Sequence, residues 1–224
     1  MKVVTLEKAL EQIQDGMTLM YGGFGGVGNP PTLIEGILQK EVKDLHLIGN
    51  DAGFPWIGIG KLVSAERAKS LIASHIGSNP VAGKLMTEGK LQVEFSPQGT
   101  LVERIRAGGM GLGGILVDVG IDSIVGENKQ TVTVNGKDFL VESALMADVA
   151  IVYAQKGDRY GNLIYDKSAR NTNPLVAMAG KVTIAEVEEI VEVGELNPEE
   201  IVTPGVFVNM VVQSQGVDWK WVWE

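Results

Sequence analysis

The sequence predicts an α/β protein with an open, mostly parallel sheet, helices on both faces and an antiparallel hairpin insertion. Two observations carry this prediction. In the first half of the chain, short apolar runs typical of strands alternate with runs of helical periodicity, which favours a parallel sheet covered on both faces. In the middle, two strand-like runs flank Asn135-Gly136, a pair that supplies the positive φ angles of a type I′ hairpin turn.

The first half contains four predicted strands with helix signals between them. The strands are expected at residues 18–21, 45–48, 70–73 and 91–95. A first helix over residues 6–13 is expected to stop at Gly16. Pro30-Pro31 suits the first turn of a second helix, and Asn79-Pro80 is a cap followed by a proline at the first helical position. Residues 100–103 form a predicted capping box for a further helix.

The second half is predicted to contain two hairpins and a late strand. The hairpins pair residues 131–134 with 139–141 and residues 149–154 with 163–165. A further strand begins at Val182, and the acidic run from Glu186 to Glu192 is expected on a solvated edge or face. We expect residues 1–224 to form one domain, with a hairpin-rich insertion at about residues 115–166.

Composition excludes several classes of function. The chain has 224 residues, 19 basic and 28 acidic side chains and a formal net charge of -9, which argues against binding nucleic acid or anionic membranes. It has no cysteine, so disulfides, thiolate zinc sites and cysteine nucleophiles are excluded. Because no signal peptide or membrane-spanning run is present, a cytoplasmic protein is expected.

A glycine-rich segment follows the first predicted strand. This segment, called the glycine turn below, consists of Gly23, Phe24, Gly25, Gly26, Val27, Gly28 and Asn29. Its first six residues match the dinucleotide pattern G-x-G-x-x-G, and Asp51 stands about twenty residues further on. Against this reading, Pro30-Pro31 removes N–H groups from the helix start that would face a pyrophosphate. The N–H groups that remain suit a developing oxyanion; a tight turn without a ligand is the other interpretation.

A parallel sheet would bring the loops after the four strands to one edge, where such sheets bind ligands. That edge would gather the glycine turn, Asn50-Asp51, Ser74-His75 and Ser96 to Gln98. Gln98 offers an amide donor and acceptor for a carboxylate or keto oxygen. His46 is expected inside a strand, and no second histidine stands at ligand spacing from His75, so no metal is expected. No permanently bound cofactor is expected either.

Three tryptophans stand at alternate positions at the end of the chain. Trp219, Trp221 and Trp223 would share one face of a terminal strand. Such a face must be covered, either by the core of its own domain or by a subunit.

Several segments together resemble the signature of family I CoA-transferases. They are Asp15–Pro30, Ile72–Pro80, Ser96–Gly109, Ser168–Asn171 and Asn173–Pro174. The resemblance covers nearly the whole chain and is specific to the α (A) subunit of 3-oxoacid, acetate or butyrate–acetoacetate CoA-transferases. The C-terminal tryptophans lie outside this pattern. Because the resemblance implies an α/β hetero-oligomer, we predict that at least Trp221 is buried at or beside a subunit contact.

The resemblance implies ping-pong transfer of CoA between carboxylic acids, with a coenzyme A thioester as substrate. The nucleophile is a glutamate on the β (B) subunit, which forms a glutamyl-CoA thioester. Glu127 is the nearest imitation of that motif here, but it lacks the following glycine, so we expect the nucleophile on the partner. The resemblance also implies an α2β2 or larger complex, oxyanion donors and CoA contacts from the glycine turn, and acid binding by Gln98.

Two alternatives remain open from the sequence. One is a dinucleotide-binding oxidoreductase domain, and the other is a non-catalytic domain of related fold that senses acids or sugars. The sequence does not specify the preferred acid among acetate, butyrate and acetoacetate.

Overall fold

The computed structural model describes residues 1–220. The helices are α1 (Leu6–Leu10), α2 (Pro31–Gln39), α3 (Gly60–Ser64), α4 (Pro80–Thr87), α5 (Gln98–Gly109) and α6 (Asn173–Met178). The strands are β1 (Thr18–Tyr21), β2 (Leu45–Ile48), β3 (Ala68–Ala73), β4 (Gln92–Phe95), β5 (Gly114–Val117), β6 (Thr131–Val134), β7 (Lys137–Ser143), β8 (Ala147–Asp158), β9 (Leu163–Ile164), β10 (Gly180–Val191) and β11 (Met210–Gln213). Short 3-10 helices lie at Lys167–Arg170, Pro198–Glu200 and Gly205–Phe207. Among these residues, none of the helices combines the length and apolarity needed to cross a membrane.

The large sheet has the order β11-β10-β8-β1-β2-β3-β4, and β9 pairs with β8 outside this path. Every neighbouring pair along the path is parallel, while β8 and β9 are antiparallel. The predicted mostly parallel α/β sheet is therefore confirmed. Strand β1 lies between β2 and β8. Strands β2, β3 and β4 follow one another on one side of β1, and β8, β10 and β11 follow one another on its other side. Such a switch point is the usual ligand site of an open α/β sheet.

The antiparallel sheet has the order β5-β7-β6 and spans residues 114–143. Its hairpin turns at Asn135 and Gly136, whose φ angles are 52° and 76°, as a type I′ turn requires. The second predicted hairpin is present with other pairs, because Lys156 pairs with Ile164 and Gly157 with Leu163, whereas residues 149–154 pair in parallel with β1 and β10. Strand β8 is at the same time an interior strand of the large sheet. The single domain over residues 1–224 with an insertion at about 115–166 stays a prediction.

Two apolar clusters cover the faces of the large sheet. Successive residues of a strand point to opposite faces, and β1 shows the consequence. Leu19 packs in the cluster that contains Leu33 of α2, whereas Met20 packs in the cluster that contains Leu101 of α5. All four side chains are at most 1% exposed. This packing on both faces holds the end of β1, and the turn that follows it, in place.

Three local predictions are wrong. Helix α5 begins at Gln98 with Pro97 as its N-cap and no side-chain capping bond, so Thr100 lies inside the helix and the predicted capping box does not form. Helix α1 ends at Leu10, before the last residue of the predicted helix. The acidic run is not simply a solvated face, because Glu186 is fully buried in the interior strand β10. The sequence pattern did not predict helix α3.

Candidate active site

The glycine turn begins two residues after β1, at the switch point of the sheet. Phe24 and Val27 exchange backbone hydrogen bonds of 2.9 and 3.0 Å, which closes a two-residue hairpin. Gly25 and Gly26 form its tip with φ angles of 56° and 92°. Two positive φ angles in succession strongly favour glycine. The glycines of the motif are thus explained first by the backbone conformation.

A second turn of the same kind packs beside the first. The Ile57 N–H donates to the Phe54 carbonyl at 3.2 Å, and the two residues form an isolated antiparallel bridge. A Cβ added to Gly26 would lie 2.7 Å from Cγ2 of Ile57, so the two turns are in close contact. The sequence carried an unused signal for this turn: Gly53-Phe54 and Ile57-Gly58 repeat the spacing of Gly23-Phe24 and Val27-Gly28.

Three asparagine side chains clamp the backbone of the glycine turn. Asn29 donates from Nδ2 to the Gly22 carbonyl at 2.5 Å and accepts from the Ile59 N–H at 2.9 Å. Asn171 accepts from the Gly23 N–H at 3.0 Å and donates to the Val27 carbonyl at 2.9 Å. Asn173 donates to the Gly28 carbonyl at 3.0 Å and accepts from the Tyr153 N–H at 3.0 Å. A primary amide can satisfy a carbonyl and an N–H at once, and here each asparagine does so.

Asp51 links the two turns. Its carboxylate accepts hydrogen bonds from the Gly25 N–H (2.8 Å), the Gly53 N–H (2.8 Å) and the Asn50 Nδ2 (2.7 Å). The residue is 2% exposed. Although a carboxylate can accept about four hydrogen bonds, this one is too deeply buried to reach a ribose hydroxyl. Asp51 therefore has a structural role and does not support the dinucleotide interpretation.

The N-terminus of helix α2 is also occupied. Glu186 of β10 accepts from the Leu33 N–H at 3.1 Å and from the Ser214 hydroxyl at 2.6 Å. Burial raises the pKa of Glu186 to about 7, although these hydrogen bonds oppose the shift. The end of the helix that would bind a pyrophosphate in a dinucleotide site is thus already capped by a carboxylate of the protein.

Two N–H groups of the glycine turn have no hydrogen-bond partner among the residues that the structure describes. Gly23 donates to Asn171 and Gly25 to Asp51, so these donors are used internally. Within residues 1–220, the N–H groups of Gly26 and Gly28 donate to no acceptor. Backbone donors of buried residues are rarely left unpaired. Two such donors on a rigid turn could stabilise negative charge that develops on a carbonyl oxygen.

The ends of the other strands lie around the turn. Gln98 donates from Nε2 to Oδ1 of Asn50 at 2.7 Å, and the Ser74 hydroxyl donates to the Asn50 carbonyl at 2.7 Å. The ring of the exposed His75 lies 6.4 Å from that of Phe24. The structure therefore brings together the loops that the sequence placed at one edge. Gln98 is exposed and keeps its carbonyl oxygen and a second amide hydrogen for a ligand.

Two residues weighed in the sequence do not join this edge. His46 lies within β2, and its Nδ1 is 2.7 Å from the Ser70 hydroxyl. Glu127 is exposed in the segment between β5 and β6 and lines a cavity of about 290 Å³ together with Phe95 and Ile124. No hydrogen bond joins Glu127 to the glycine turn in the described part of the chain.

Trp219 does not lie in a strand. Strand β11 ends at Gln213, and Trp219 is fully buried behind the glycine turn. Its Nε1 donates to the Asn29 carbonyl at 3.0 Å, and its ring meets Tyr153 edge-on with 4.9 Å between centroids. The expected alternation along a terminal strand is therefore wrong at Trp219. Trp221 and Trp223, and with them the predicted subunit contact, lie outside the described residues.

Comparisons with known proteins agree on one family. The sequence model of the coenzyme A transferase family matches residues 3–214. A probable coenzyme A transferase subunit alpha of Bacillus subtilis is 63% identical over 100% of this chain and 98% of its own length. The acetate CoA-transferase subunit alpha of Escherichia coli is 49% identical over 96% of this chain and 97% of its own length.

A solved structure shows the same fold. An acyl-CoA transferase from Escherichia coli O157:H7, crystallised as a thioester complex with CoA, superposes with a TM-score of 0.85 at 24% identity. The alignment covers 97% of this chain but only 47% of that longer chain. Together with the full-length match to the α-subunit sequences, the fold leaves one assignment: the chain is an α subunit of the coenzyme A transferase family.

Proposed function

We propose that this α subunit supplies the glycine turn to an active site that a β subunit completes with a glutamate nucleophile. The observation that carries the proposal is the pair of unpartnered N–H groups, on Gly26 and Gly28, in a turn held rigid by three asparagines. The carboxylate that contacts the turn, Asp51, is buried and occupied by three donors, so it is unsuited to act as the nucleophile.

The proposed chemistry assigns a role to each of these groups. The partner's glutamate attacks the carbonyl carbon of the acyl-CoA, and the N–H groups of Gly26 and Gly28 stabilise the oxyanion that forms. The thiolate of CoA leaves, so that a mixed anhydride remains. The thiolate then attacks the glutamyl carbonyl of this anhydride, which releases the first carboxylate and leaves a glutamyl-CoA thioester. A second carboxylic acid repeats these steps in reverse, with its carboxylate near Gln98.

The names of the relatives support the substrate class. One relative is an acetate CoA-transferase subunit and another, 44% identical, is an acetoacetyl-CoA:acetate/butyrate CoA transferase alpha subunit. We assign short-chain acyl-CoA or 3-oxoacyl-CoA as donor and acetate, butyrate or acetoacetate as acceptor. The longer acyl-CoA transferase has more than half its length beyond the aligned part, which supports a partner chain. An α2β2 or larger complex in the cytoplasm belongs to the same proposal.

Co-expression with a β subunit of the coenzyme A transferase family from the same organism tests the proposal. The complex should transfer CoA from acetoacetyl-CoA to acetate, and neither subunit alone should do so. Mass spectrometry of the complex after incubation with acetoacetyl-CoA alone should detect CoA attached to a β-subunit glutamate. Turnover by the purified α subunit, abolished by Glu127→Gln, would contradict the proposal.

A titration with NAD tests the dinucleotide alternative. Asp51 and the N-terminus of α2 are both occupied by protein groups, so no heat of binding is expected. Tight binding of NAD would show that these contacts open and would restore that alternative.

A further inference from the structure

A C-terminal segment, residues 214–220, crosses from β11 to the back of the glycine turn. The family match ends at residue 214, so most of this segment lies beyond it. Several contacts attach the segment to the domain. The Gln215 N–H donates to the Thr32 hydroxyl at 2.9 Å, Asp218 pairs with Lys61 at 3.0 Å, and Lys220 pairs with a glutamate of β10 at 2.6 Å. These contacts bring Trp219 against the turn.

Trp219 occupies the centre of a small apolar cluster. Val27, Ile57, Tyr153 and Ala169 are its other buried members. Val27 and Ile57 come from the two adjacent turns, and Ala169 from the segment that also carries the clamping Asn171. The cluster therefore joins the indole ring to both turns and to that segment. Because a tryptophan has a large, rigid ring, it transmits displacements of one element to the others.

The indole N–H completes the hydrogen bonding of Asn29. The side chain of Asn29 binds Gly22 and Ile59, its N–H donates to the Gly26 carbonyl at 2.9 Å, and its own carbonyl accepts from Trp219 at 3.0 Å. Asn29 thus connects the indole to the carbonyl of Gly26, the residue that carries one unpartnered donor, and it directly follows Gly28, which carries the other. Asn29 and Trp219 are at most 1% exposed, so no water replaces this bond without a rearrangement.

We propose that Trp219 is a positioning residue, which holds the glycine turn in the geometry that aims the N–H groups of Gly26 and Gly28 at the reacting carbonyl. This inference rests on the proposed role of the turn as an oxyanion site. The indole does not touch the substrate. It acts through Asn29, and its effect is expected on the rate of the chemical step. Misplacement of catalytic groups by a fraction of an ångström to one ångström lowers rates by about 10-fold to 100-fold.

The test compares two variants from the same cluster in the complex with the β subunit. Trp219→Phe keeps a ring against Tyr153 but removes the bond to Asn29. Tyr153→Phe is the matched control, because it removes a partly buried hydroxyl that donates to Glu188 and leaves the bond between Trp219 and Asn29. We expect both variants to lower Tm, whereas only Trp219→Phe lowers kcat, by about 10-fold to 100-fold, with KM changed less than about twofold.

A measurement independent of activity separates this inference from the proposed function. In hydrogen–deuterium exchange, the Val27 and Asn29 amides of the complex should exchange faster in Trp219→Phe and at the wild-type rate in Tyr153→Phe. If the wild-type complex has no transferase activity, the proposed function is refuted. If the amides of Trp219→Phe then still exchange faster than those of the wild type, the mechanical role of Trp219 stands. An active wild type, with kcat and exchange unchanged in Trp219→Phe, would refute the inference.

Discussion

The buried carboxyl group of Glu186 makes the stability of this subunit depend on pH near neutrality. Glu186 lies in β10 at 0% exposure, and its carboxylate caps helix α2 through the Leu33 N–H. Burial raises its pKa from 4.5 to about 7, despite hydrogen bonds from Ser214, Thr32 and the backbone that favour the charged form. The perturbation is Glu186→Gln, which keeps the shape and an acceptor for the Leu33 N–H but cannot ionise.

The direction of the effect follows from the two protonation states. Below pH 4.5 the carboxyl group is protonated in both the folded and the unfolded protein, so its contribution to stability is fully present. Between pH 4.5 and about 7 the unfolded chain loses the proton first, and the free energy of unfolding falls as pH rises. Above pH 7 the loss is complete and constant. The difference between the two pKa values corresponds to roughly 3 kcal/mol.

Urea unfolding of the purified α subunit at a series of pH values from 5 to 8 measures this effect. The free energy of unfolding of the wild type minus that of Glu186→Gln should fall by roughly 2–3 kcal/mol across this range, since other titrating groups are common to both proteins and cancel. A difference that stays constant from pH 5 to pH 8 would refute the reasoning, because it would mean that Glu186 ionises in the folded protein as it does in water.

Three further predictions concern the turns. Gly26→Ala places a Cβ 2.7 Å from Ile57, whereas a Cβ at Gly25 has its nearest neighbour 3.8 Å away. Gly26→Ala should therefore lower kcat of the complex, measured from initial rates, by about 100-fold, and Gly25→Ala should lower it much less. Asn173→Ala leaves three buried backbone groups without this partner, the Tyr153 N–H and the carbonyls of Gly28 and Ala169. It should cost about 2–4 kcal/mol, measured by urea unfolding, and a loss below about 0.5 kcal/mol would contradict the clamp. Gly136→Ala, at φ +76° with open space around it, should cost about 1–2 kcal/mol and leave kcat unchanged.

The sequence by itself determined those parts of the structure that depend on neighbouring residues. Strands β1 and β2 begin and end as the apolar pattern predicted. Asn79 caps α4 through the Val81 and Ala82 N–H groups, and Asn135-Gly136 makes the predicted hairpin turn. In each case a few consecutive residues decide the backbone conformation, through side-chain caps, positive φ angles or alternation of apolar side chains. The resemblance of longer segments to the CoA-transferases identified the family to which the chain belongs.

Only the tertiary structure decided which groups of the glycine turn remain available. Gly23 and its acceptor Asn171 are 148 residues apart in the chain, and Asn29 and Trp219 are 190 residues apart. Glu186 belongs to an acidic run that predicts a solvated face, yet its side chain is buried. It accepts a hydrogen bond from Leu33, which is 153 residues away in the sequence. Local pattern carries no information about such pairs, because hydrogen-bond partners of this kind are chosen by how the sheet orders its strands and packs its loops. For the same reason, the N–H groups of Gly26 and Gly28 that donate to no acceptor within residues 1–220 could be identified only after the acceptors of those residues had been placed.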